Sequence, residues 1–189
     1  MNTPSHLILN LATLRRPAHP EVTWPVLIGA FVPDAAMFVF YAWVKFVERL
    51  PDSTIWNETF FSQSWQDIFA IGNSIPLVLL GIGATYAWRK WAWLYFFASM
   101  LLHQLCDLPV HHDDAHRHFV PLSNYRFISP VSYWDPDHYG ALIALIESSL
   151  VLIASVYLWR QVRSRLGRGL LLLTNVVYVA GYVAFYARA

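Results

Sequence analysis

An all-α, polytopic membrane protein is the fold class that the sequence predicts. Of the 189 residues, 57% are hydrophobic and 13% are charged, and the mean hydropathy is +0.40. Soluble domains carry about twice that share of charged residues. In addition, several apolar runs have the roughly 18 to 22 residues that a helix needs to cross a bilayer. A chain of this length is predicted to form a single integral membrane domain, residues 1–189.

About five spans are predicted. They cover residues 25–48, 67–88, 91–107, 140–160 and 169–187. Tryptophans lie near the ends of these runs: Trp24, Trp65, Trp88, Trp91, Trp93 and Trp159. Indole side chains favour the boundary between lipid and water, so these positions support the assignment. The third span is short enough to be partly re-entrant.

A short helix is predicted ahead of the first span. Thr3 can cap its N-terminus, with Pro4 in the first turn. His6, Asn10 and Thr13 follow at helical spacing, so they share one polar face while leucines occupy the other. Because about ten residues cannot cross a bilayer, this helix is expected either to lie along the interface or to tuck into the bundle.

The basic residues predict the orientation of the chain. The net charge is +1 and no basic patch suits nucleic acid, so the lipid bilayer is the expected partner and nucleic acid is not. Basic residues cluster before the first span and in two of the connections: Arg15, Arg16, Arg89, Lys90, Arg160, Arg163, Arg165 and Arg168. The positive-inside rule then places the N-terminus in the cytoplasm and the histidine-rich loop on the outer face.

Acidic residues interrupt two of the apolar spans. Asp34 follows Pro33 near the middle of the first span, and an aspartate at that depth is costly unless it is paired or binds a cation. Its alternative role is to cap a helix that restarts after Pro33. Glu147 lies in the fourth span, where it could pair with Lys45 or with an arginine.

The segment of residues 103–138 is the most informative part of the chain. It contains a dense set of ligand-type side chains: His103, Asp107, His111, His112, Asp113, Asp114, His116 and His118. The lone Cys106 excludes a cysteine-rich zinc site. Loops of roughly 30 residues in a compact domain are usually functional or disordered, and the aromatic residues of this loop favour order. The segment is therefore predicted to be an ordered site.

His103 and Asp107 are four residues apart on a predicted helix, so one face presents both side chains. This spacing allows a helix to offer two ligands to one ion. Pro109 would end the helix and return His111 or His112 towards the same point. The alternative is a His–Asp hydrogen bond that seals the helix end.

Further along the loop, two pairs would repeat that spacing if a helical turn formed. They are His112 with His116 and Asp114 with His118. A second polar cluster precedes the fourth span and consists of Asp135, Asp137 and His138. It either supports the site from outside or forms the helix N-terminus, where acidic residues are favourable.

Four motifs together resemble the LexA-binding hydrolase-like family of bacterial inner-membrane proteins, which are described as metal-dependent hydrolases. The motifs are His6-Leu-Ile-Leu, Gly29-Ala-Phe-Val-Pro33-Asp34, His103-Gln-Leu-Cys-Asp107 and Pro121-Leu122-Ser123. Their order is also distantly similar to zinc-dependent phospholipase C, with Pro109-Val-His111 as the last element. The resemblance implies a location in the bacterial inner (plasma) membrane and metal ligation by His6, Asp34, His103, Asp107 and His111. A histidine motif of that family is missing, since no histidine occurs between His19 and His103.

One or two divalent ions are the predicted cofactor. Zinc is favoured, but manganese or iron would also suit mixed histidine and carboxylate ligands. The predicted ligands are Asp34, His103, Asp107 and His111, with help from His112, His116 or His118, and with His6 added by the resemblance. If Asp113 or Asp114 is not a ligand, it could accept a proton from an ion-bound water.

Three functions follow from these observations. The first is a metal-dependent hydrolase acting on a phosphoester, on another lipid-borne bond or on a small molecule. The second is a divalent-metal transporter or sensor, because intramembrane Asp, His and Glu also mark ion pathways. The third is a structural membrane protein with a metal-stabilised loop. Transport predicts a continuous polar path, whereas hydrolysis predicts a closed cluster beside a cleft. The polar residues concentrate around the third span and its loop, which favours a site.

Overall fold

The computed structural model describes residues 1–16 and 18–186, and all regular structure in them is helical. Eight α-helices occur in this part of the chain: α1 Thr3–Leu14, α2 Thr23–Ala42, α3 Asp52–Thr54, α4 Gln63–Gly72, α5 Ile75–Ala87, α6 Trp91–Asp107, α7 Gly140–Trp159 and α8 Arg165–Phe185. The all-α prediction is confirmed. The predicted end of the last span, at residue 187, lies outside the described residues.

Four stretches of the described chain are long and apolar enough to cross a membrane, which indicates a membrane protein. They are Pro20–Val47, Gln63–Ala87, Gly140–Trp159 and Arg165–Phe185. The remaining predicted span, the third, is α6, which has 17 residues. At 1.5 Å per residue it reaches about 26 Å, slightly less than the hydrocarbon core. Because α6 lies inside the bundle against α1, α2 and α5, its polar residues contact protein.

The helices α2 and α6 are in close contact at Gly29. A Cβ atom at this position would lie 2.2 Å from the carbonyl oxygen of Phe96, so only glycine allows the contact. One turn along α6, the Ser99 hydroxyl donates a hydrogen bond of 2.6 Å to the carbonyl of Val26. Small residues at a helix crossing allow this closeness in membrane bundles. The contact fixes the height of α6 relative to α2.

The α2 helix continues through Pro33 without a break. The helix-capping role considered for Asp34 is therefore wrong. A proline inside a helix removes one backbone donor, but here the remaining ladder and the packing on α6 keep the helix intact. Asp34 projects from the middle of α2 towards α1 and α6, where Thr3 donates a hydrogen bond of 2.6 Å to its Oδ2 atom.

Between α4 and α5, the chain leaves the helical path at Asn73 and Ser74. The Asn73 side chain donates to the carbonyl of Phe69 at 3.1 Å, and Ser74 caps α5 by accepting from the amide of Leu77 at 3.2 Å. The loop after α6 packs against this break, since the amide of Ile75 donates to the carbonyl of His118 at 2.9 Å. Irregular backbone inside a membrane protein needs such internal partners.

The short helix α1 runs inside the bundle and not along the interface. The first part of its polar face is buried, with Ser5, His6 and Asn10 at 0% exposure, and Thr13 near its end is exposed. At its C-terminus, Arg15 donates a hydrogen bond of 2.9 Å to Gln161, which lies in the basic α7–α8 connection. We call the end of the bundle that contains Arg15 and the α7–α8 connection the arginine end. The opposite end, where α6 ends at Asp107, is the site end.

The N-terminus therefore lies at the site end, beside the histidine-rich loop. The predicted placement of the two on opposite sides of the membrane is wrong. The buried polar face of α1 explains the difference: its side chains bind α6 and α7, so α1 traverses the bundle from the site end to the arginine end. The basic connections remain together at the arginine end, as the charge pattern predicts.

Candidate metal centre

Asp107, the last residue of α6, lies at the centre of a buried cluster of histidines. Its Oδ1 atom is 2.9 Å from Nε2 of His6 and 3.4 Å from Nε2 of His111. Its Oδ2 atom is 3.0 Å from Nε2 of His103. Three elements thus contribute nitrogens to one carboxylate: α1, α6 and the loop after the turn at Pro109. We call the group of His6, His103, Asp107, His111 and His116 the Asp107 cluster.

The hydrogen bonds of His103 fix which nitrogen faces the cluster. Nδ1 lies 2.7 Å from the carbonyl oxygen of Ala30 and must donate, because a carbonyl only accepts. Nε2 then faces two carboxylates, Asp107 at 3.0 Å and Asp34 at 3.5 Å. A neutral imidazole would present a lone pair to these oxygens, so either a proton or a cation is needed between them. Metal-bound histidines commonly donate their other N–H to a backbone carbonyl in this way.

Two overlapping groups of side chains could each hold an ion. Ligand atoms of His6, His103 and Asp107 all lie within 4.8 Å of one another, and so do those of Asp107, His111 and His116. The two groups share Asp107. The amine of Met1 also lies here, 2.6 Å from Oδ1 of Asp107 and 3.1 Å from Nε2 of His111.

The pKa values of two loop histidines, His111 and His116, shift in opposite directions. Burial, with the charge of neighbouring His111, lowers the pKa of His116 to about 3, so its imidazole is neutral at physiological pH. Neutral imidazole is the form that binds metals. Burial alone would lower the pKa of His111 as well, but the carboxylates of Asp107 and Asp114 outweigh it and raise that pKa.

Asp114 supports the cluster, whereas Asp113 lies at its edge. Oδ2 of Asp114 is 2.9 Å from Nδ1 of His111, and Oδ1 is buried without a hydrogen-bond partner among the described residues. Burial opposes ionisation, but the hydrogen bond with His111 lowers the pKa of Asp114. Asp113 is exposed. Both carboxylates line a cleft of about 520 Å³, which we call the aromatic cleft; its other lining residues are Met37, Trp56, Asn57, Phe60, Phe61, Tyr133 and Trp134.

Three predicted ligands lie outside the two ion-sized groups. Asp34 is the nearest, at 3.5 Å from Nε2 of His103. Nδ1 of His118 is 3.0 Å from the carbonyl of Asn73, and its ring centroid is 5.8 Å from that of His116. His112 points away and stacks on His138 with ring centroids 3.6 Å apart. No helical turn forms over residues 111–118, so the predicted pairs of His112 with His116 and of Asp114 with His118 do not arise. The loop backbone bonds to residues 129 and 133 instead.

Glu147 has different partners from those predicted. Its Oε1 atom accepts hydrogen bonds from the backbone amide of Asn2 at 2.9 Å and from the side chains of Asn2 and Ser5. Lys45 instead pairs with Asp52 at 2.8 Å. The reason is that Glu147 lies beside the start of α1, whereas Lys45 lies beyond the site on the extension of α2.

Sequence reasoning also missed backbone groups of the site. The Ala30 carbonyl and the Met1 amine have no side-chain signature, so no motif could have identified them. Tyr133 is an aromatic residue of the loop, and its ring centroid lies 4.9 Å from that of His111. Its proximity depends on the hydrogen bond of 3.0 Å from its amide to the carbonyl of Val110.

Comparisons of this chain with protein-family models, curated proteins and solved structures found no match. The resemblance to the LexA-binding hydrolase-like family therefore stays a prediction that rests on short motifs. Three of those motifs contribute His6, Asp34, His103 and Asp107 to one place in the bundle. The fourth, Pro121-Leu122-Ser123, lies exposed on the loop.

Proposed function

We propose that this protein is a membrane-embedded metal-dependent hydrolase that acts on a phosphoester or another lipid-borne bond. The observation that carries the proposal is Asp107, a buried carboxylate shared by two ion-sized groups of ligands beside a cleft. Asp107 would be a ligand common to both groups, and two neighbouring ions would supply the charge stabilisation that hydrolytic sites use.

The donor set suits zinc best. His6, His103 and Asp107 would hold one ion, and Asp107, His111 and His116 would hold a second. Histidine-rich ligation with one or two carboxylates is common for catalytic zinc, and manganese or iron would also fit. When bound, such an ion lowers the pKa of a water ligand to about 7 and polarises the bond to be cleaved.

The chain itself positions these ligands and provides a proton acceptor. Ala30 orients His103 through its carbonyl, and Asp114 orients His111 through Oδ2. Asp114 contacts His111 through Oδ2 and lines the aromatic cleft, and we assign its free Oδ1 atom as the proton acceptor. Asp113, exposed on the wall of the same cleft, is the alternative acceptor.

The distribution of acidic residues supports a site more than a transport path. Among the described residues near the arginine end, Glu21 is the acidic one, and it is exposed at the surface. Just below the cluster, the side-chain nitrogen of Asn10 is held by Ser99, since it donates to the Ser99 carbonyl at 2.8 Å. By the positive-inside rule, we place the arginine end in the cytoplasm of a bacterial inner membrane and the site end on the outer face.

Metal content and hydrolysis test the proposal together. The tag is placed at the C-terminus because the Met1 amine contacts Asp107. We expect purified protein to hold about one to two equivalents of a transition metal and to hydrolyse a fluorogenic phosphodiester or a fluorogenic phospholipid. His103→Ala is expected to reduce both metal content and rate by roughly tenfold or more.

The matched control is His138→Ala, which removes a histidine of the same loop segment that lies outside the Asp107 cluster. It should leave metal content and rate unchanged. Less than about half an equivalent of metal in the wild type, with no difference in a His103→Ala/Asp107→Ala variant, would exclude the metal site and the hydrolase with it.

A further inference from the structure

A second cavity lies between α7 and α8 at the site end, with a volume of about 370 Å³. We call it the α7–α8 groove. Towards the arginine end these two helices pack tightly, with Val151, Leu158 and Leu171 in a buried cluster. Towards the site end they separate, and Ala144 and Glu147 of α7 face Tyr178 and Gly181 of α8 across the groove.

The inner wall of the groove carries a buried carboxylate with an unused oxygen. Glu147 is 3% exposed, and its Oε1 atom receives the hydrogen bonds from Asn2 and Ser5. Its Oε2 atom has no partner among the described residues. An unpaired carboxylate oxygen at this depth is unfavourable. The groove therefore offers a strong acceptor to a ligand that brings an N–H or O–H group.

The outer part of the groove is apolar and open. A Cβ atom at Gly181 would meet no atom within 4 Å, so the space beside α8 is unfilled. Val177 and Phe185 line the same side of the groove. Both helices are long and apolar enough to cross a membrane, so the open side faces the acyl chains of the bilayer.

We propose that the α7–α8 groove binds a membrane lipid whose headgroup carries a hydrogen-bond donor, with an acyl chain beside Gly181 and the donor on Glu147. A lipid chain matches the apolar opening, and an amine or hydroxyl matches the unused carboxylate oxygen. A partner protein is a poorer match for the groove, because its side chain would have to enter from within the bilayer to reach Glu147.

The groove ends one residue layer from the Asp107 cluster. Asn2 contacts Glu147 on the groove side, while its neighbour Met1 contacts Asp107. Tyr133 lines the groove and also packs on His111. Given the proposed hydrolase function, on which this step rests, the substrate is a lipid. It enters sideways from the bilayer, and its headgroup lies at the boundary between the groove and the cluster.

Photolabelling in lipid nanodiscs tests the binding directly. The full chain is reconstituted in phosphatidylcholine with a trace of phosphatidylethanolamine that carries a diazirine in one acyl chain, and labelled positions are mapped by mass spectrometry. We expect labels on Ala144, Val177 and Phe185 to exceed those on outward-facing Leu172 by roughly tenfold. A phosphatidylcholine probe, which lacks the headgroup donor, should label the groove less.

Gly181→Trp fills the groove without displacing any atom near the new Cβ, and Gly169→Trp is its matched control. Gly169 lies on the same helix near the arginine end, and its Cβ would also meet nothing within 4 Å. Gly181→Trp should reduce groove labelling by roughly tenfold, because buried contacts with the acyl chain are lost. Gly169→Trp should leave labelling unchanged. Gly181→Leu fills less of the groove, so it should reduce labelling less than Gly181→Trp does.

Equal labelling in the wild type and in Gly181→Trp would overturn the lipid site, as would labels spread evenly around both helices. Equal labelling by the two probes would overturn the donor on Glu147. Groove labelling in a protein without hydrolytic activity would contradict only the proposed function. Hydrolysis of a membrane lipid that Gly181→Trp does not slow would contradict only the groove's role as the substrate route.

Discussion

Two pairs of stacked histidines in this protein have almost the same local geometry and opposite surroundings. His6 and His103 stack with ring centroids 3.6 Å apart, and so do His112 and His138. Each pair has an aspartate at hydrogen-bond distance. In the first pair, both rings are fully buried and the aspartate is Asp107. In the second, the aspartate is Asp135, and the side chain of His138 is 35% exposed.

The difference lies in where the remaining nitrogens and oxygens point. His103 uses Nδ1 on a backbone carbonyl and directs Nε2 at two carboxylates, which leaves a place for a cation. His112 also uses Nδ1 on a carbonyl, that of Ser129, but no carboxylate meets its other nitrogen among the described contacts. Histidine density alone therefore does not identify a metal site. Burial and convergence on one shared carboxylate distinguish the two pairs.

Asp107→Asn should produce the largest effect, because Asp107 belongs to both ion-sized groups. We expect loss of essentially all bound metal and a decrease of about 3–5 kcal/mol in the free energy of unfolding, since removing one partner leaves buried groups uncompensated. Elemental analysis and a thermal melt followed by tryptophan fluorescence measure the two quantities. Asp135→Asn is the matched control and should retain its metal. If both variants lost metal equally, the distinction between the two pairs would fail.

Metal removal should give the next largest effect. A ligand at 100 times its dissociation constant stabilises the folded state by about 2.7 kcal/mol, so EDTA should lower the melting temperature and zinc should restore it. His116→Ala, which removes one ligand of the second group, should reduce this shift. A His112→Ala/His138→Ala variant should retain the full shift in melting temperature. A reduced shift in that variant would show that the metal binds at His112 and His138, contrary to our assignment.

Much of the fold could be predicted because apolar periodicity and length determine which segments become membrane helices. The five predicted segments correspond to α2, the α4–α5 stretch, α6, α7 and α8. The path of α1 through the bundle was not decided by the sequence. A helix with a polar face suits an interface as well as a protein interior, and only the partners on α6 and α7 distinguish the two. For the same reason, the charge pattern located the arginine end but misplaced the N-terminus.

The site could be predicted in part for a similar reason. The helical spacing of His103 and Asp107, and the turn at Pro109, follow from local geometry that the sequence encodes. The loop folds back so that only some of the later histidines lie near Asp107. This path depends on hydrogen bonds between residues far apart in the loop, such as the bond of 3.0 Å from the amide of Ser129 to the carbonyl of His111. Such non-local pairings have no signature in spacing. The density of histidines in the sequence therefore predicts His112, His116 and His118 equally as metal ligands.

Gly29→Ala should test how firmly the α2–α6 crossing positions the cluster. The new methyl group would collide with the Phe96 carbonyl, and overpacking of this kind costs about 1–3 kcal/mol. Because His103 and Ser99 lie on the same face of α6, the displacement should also weaken metal binding. Gly83→Ala is the control, since its Cβ would meet nothing within 4 Å. A glycine-to-alanine change inside a helix is then neutral or stabilising by roughly 0.5–1 kcal/mol. Equal melting temperatures for the two variants would show that the crossing is not a constraint.

His138→Ala should have the smallest effect of the series. The side chain accounts for one partly exposed contact with Asp135 and a stacking contact with His112, and His112 keeps its hydrogen bond to Ser129 without it. Exposed ion pairs contribute little because water and salt screen them. We expect an unchanged melting temperature in the metal-bound protein, an unchanged EDTA shift and unchanged metal content. A loss of metal comparable to that of His103→Ala would mean that the partly exposed pair of His112 and His138 takes part in binding, and that burial does not separate the two pairs.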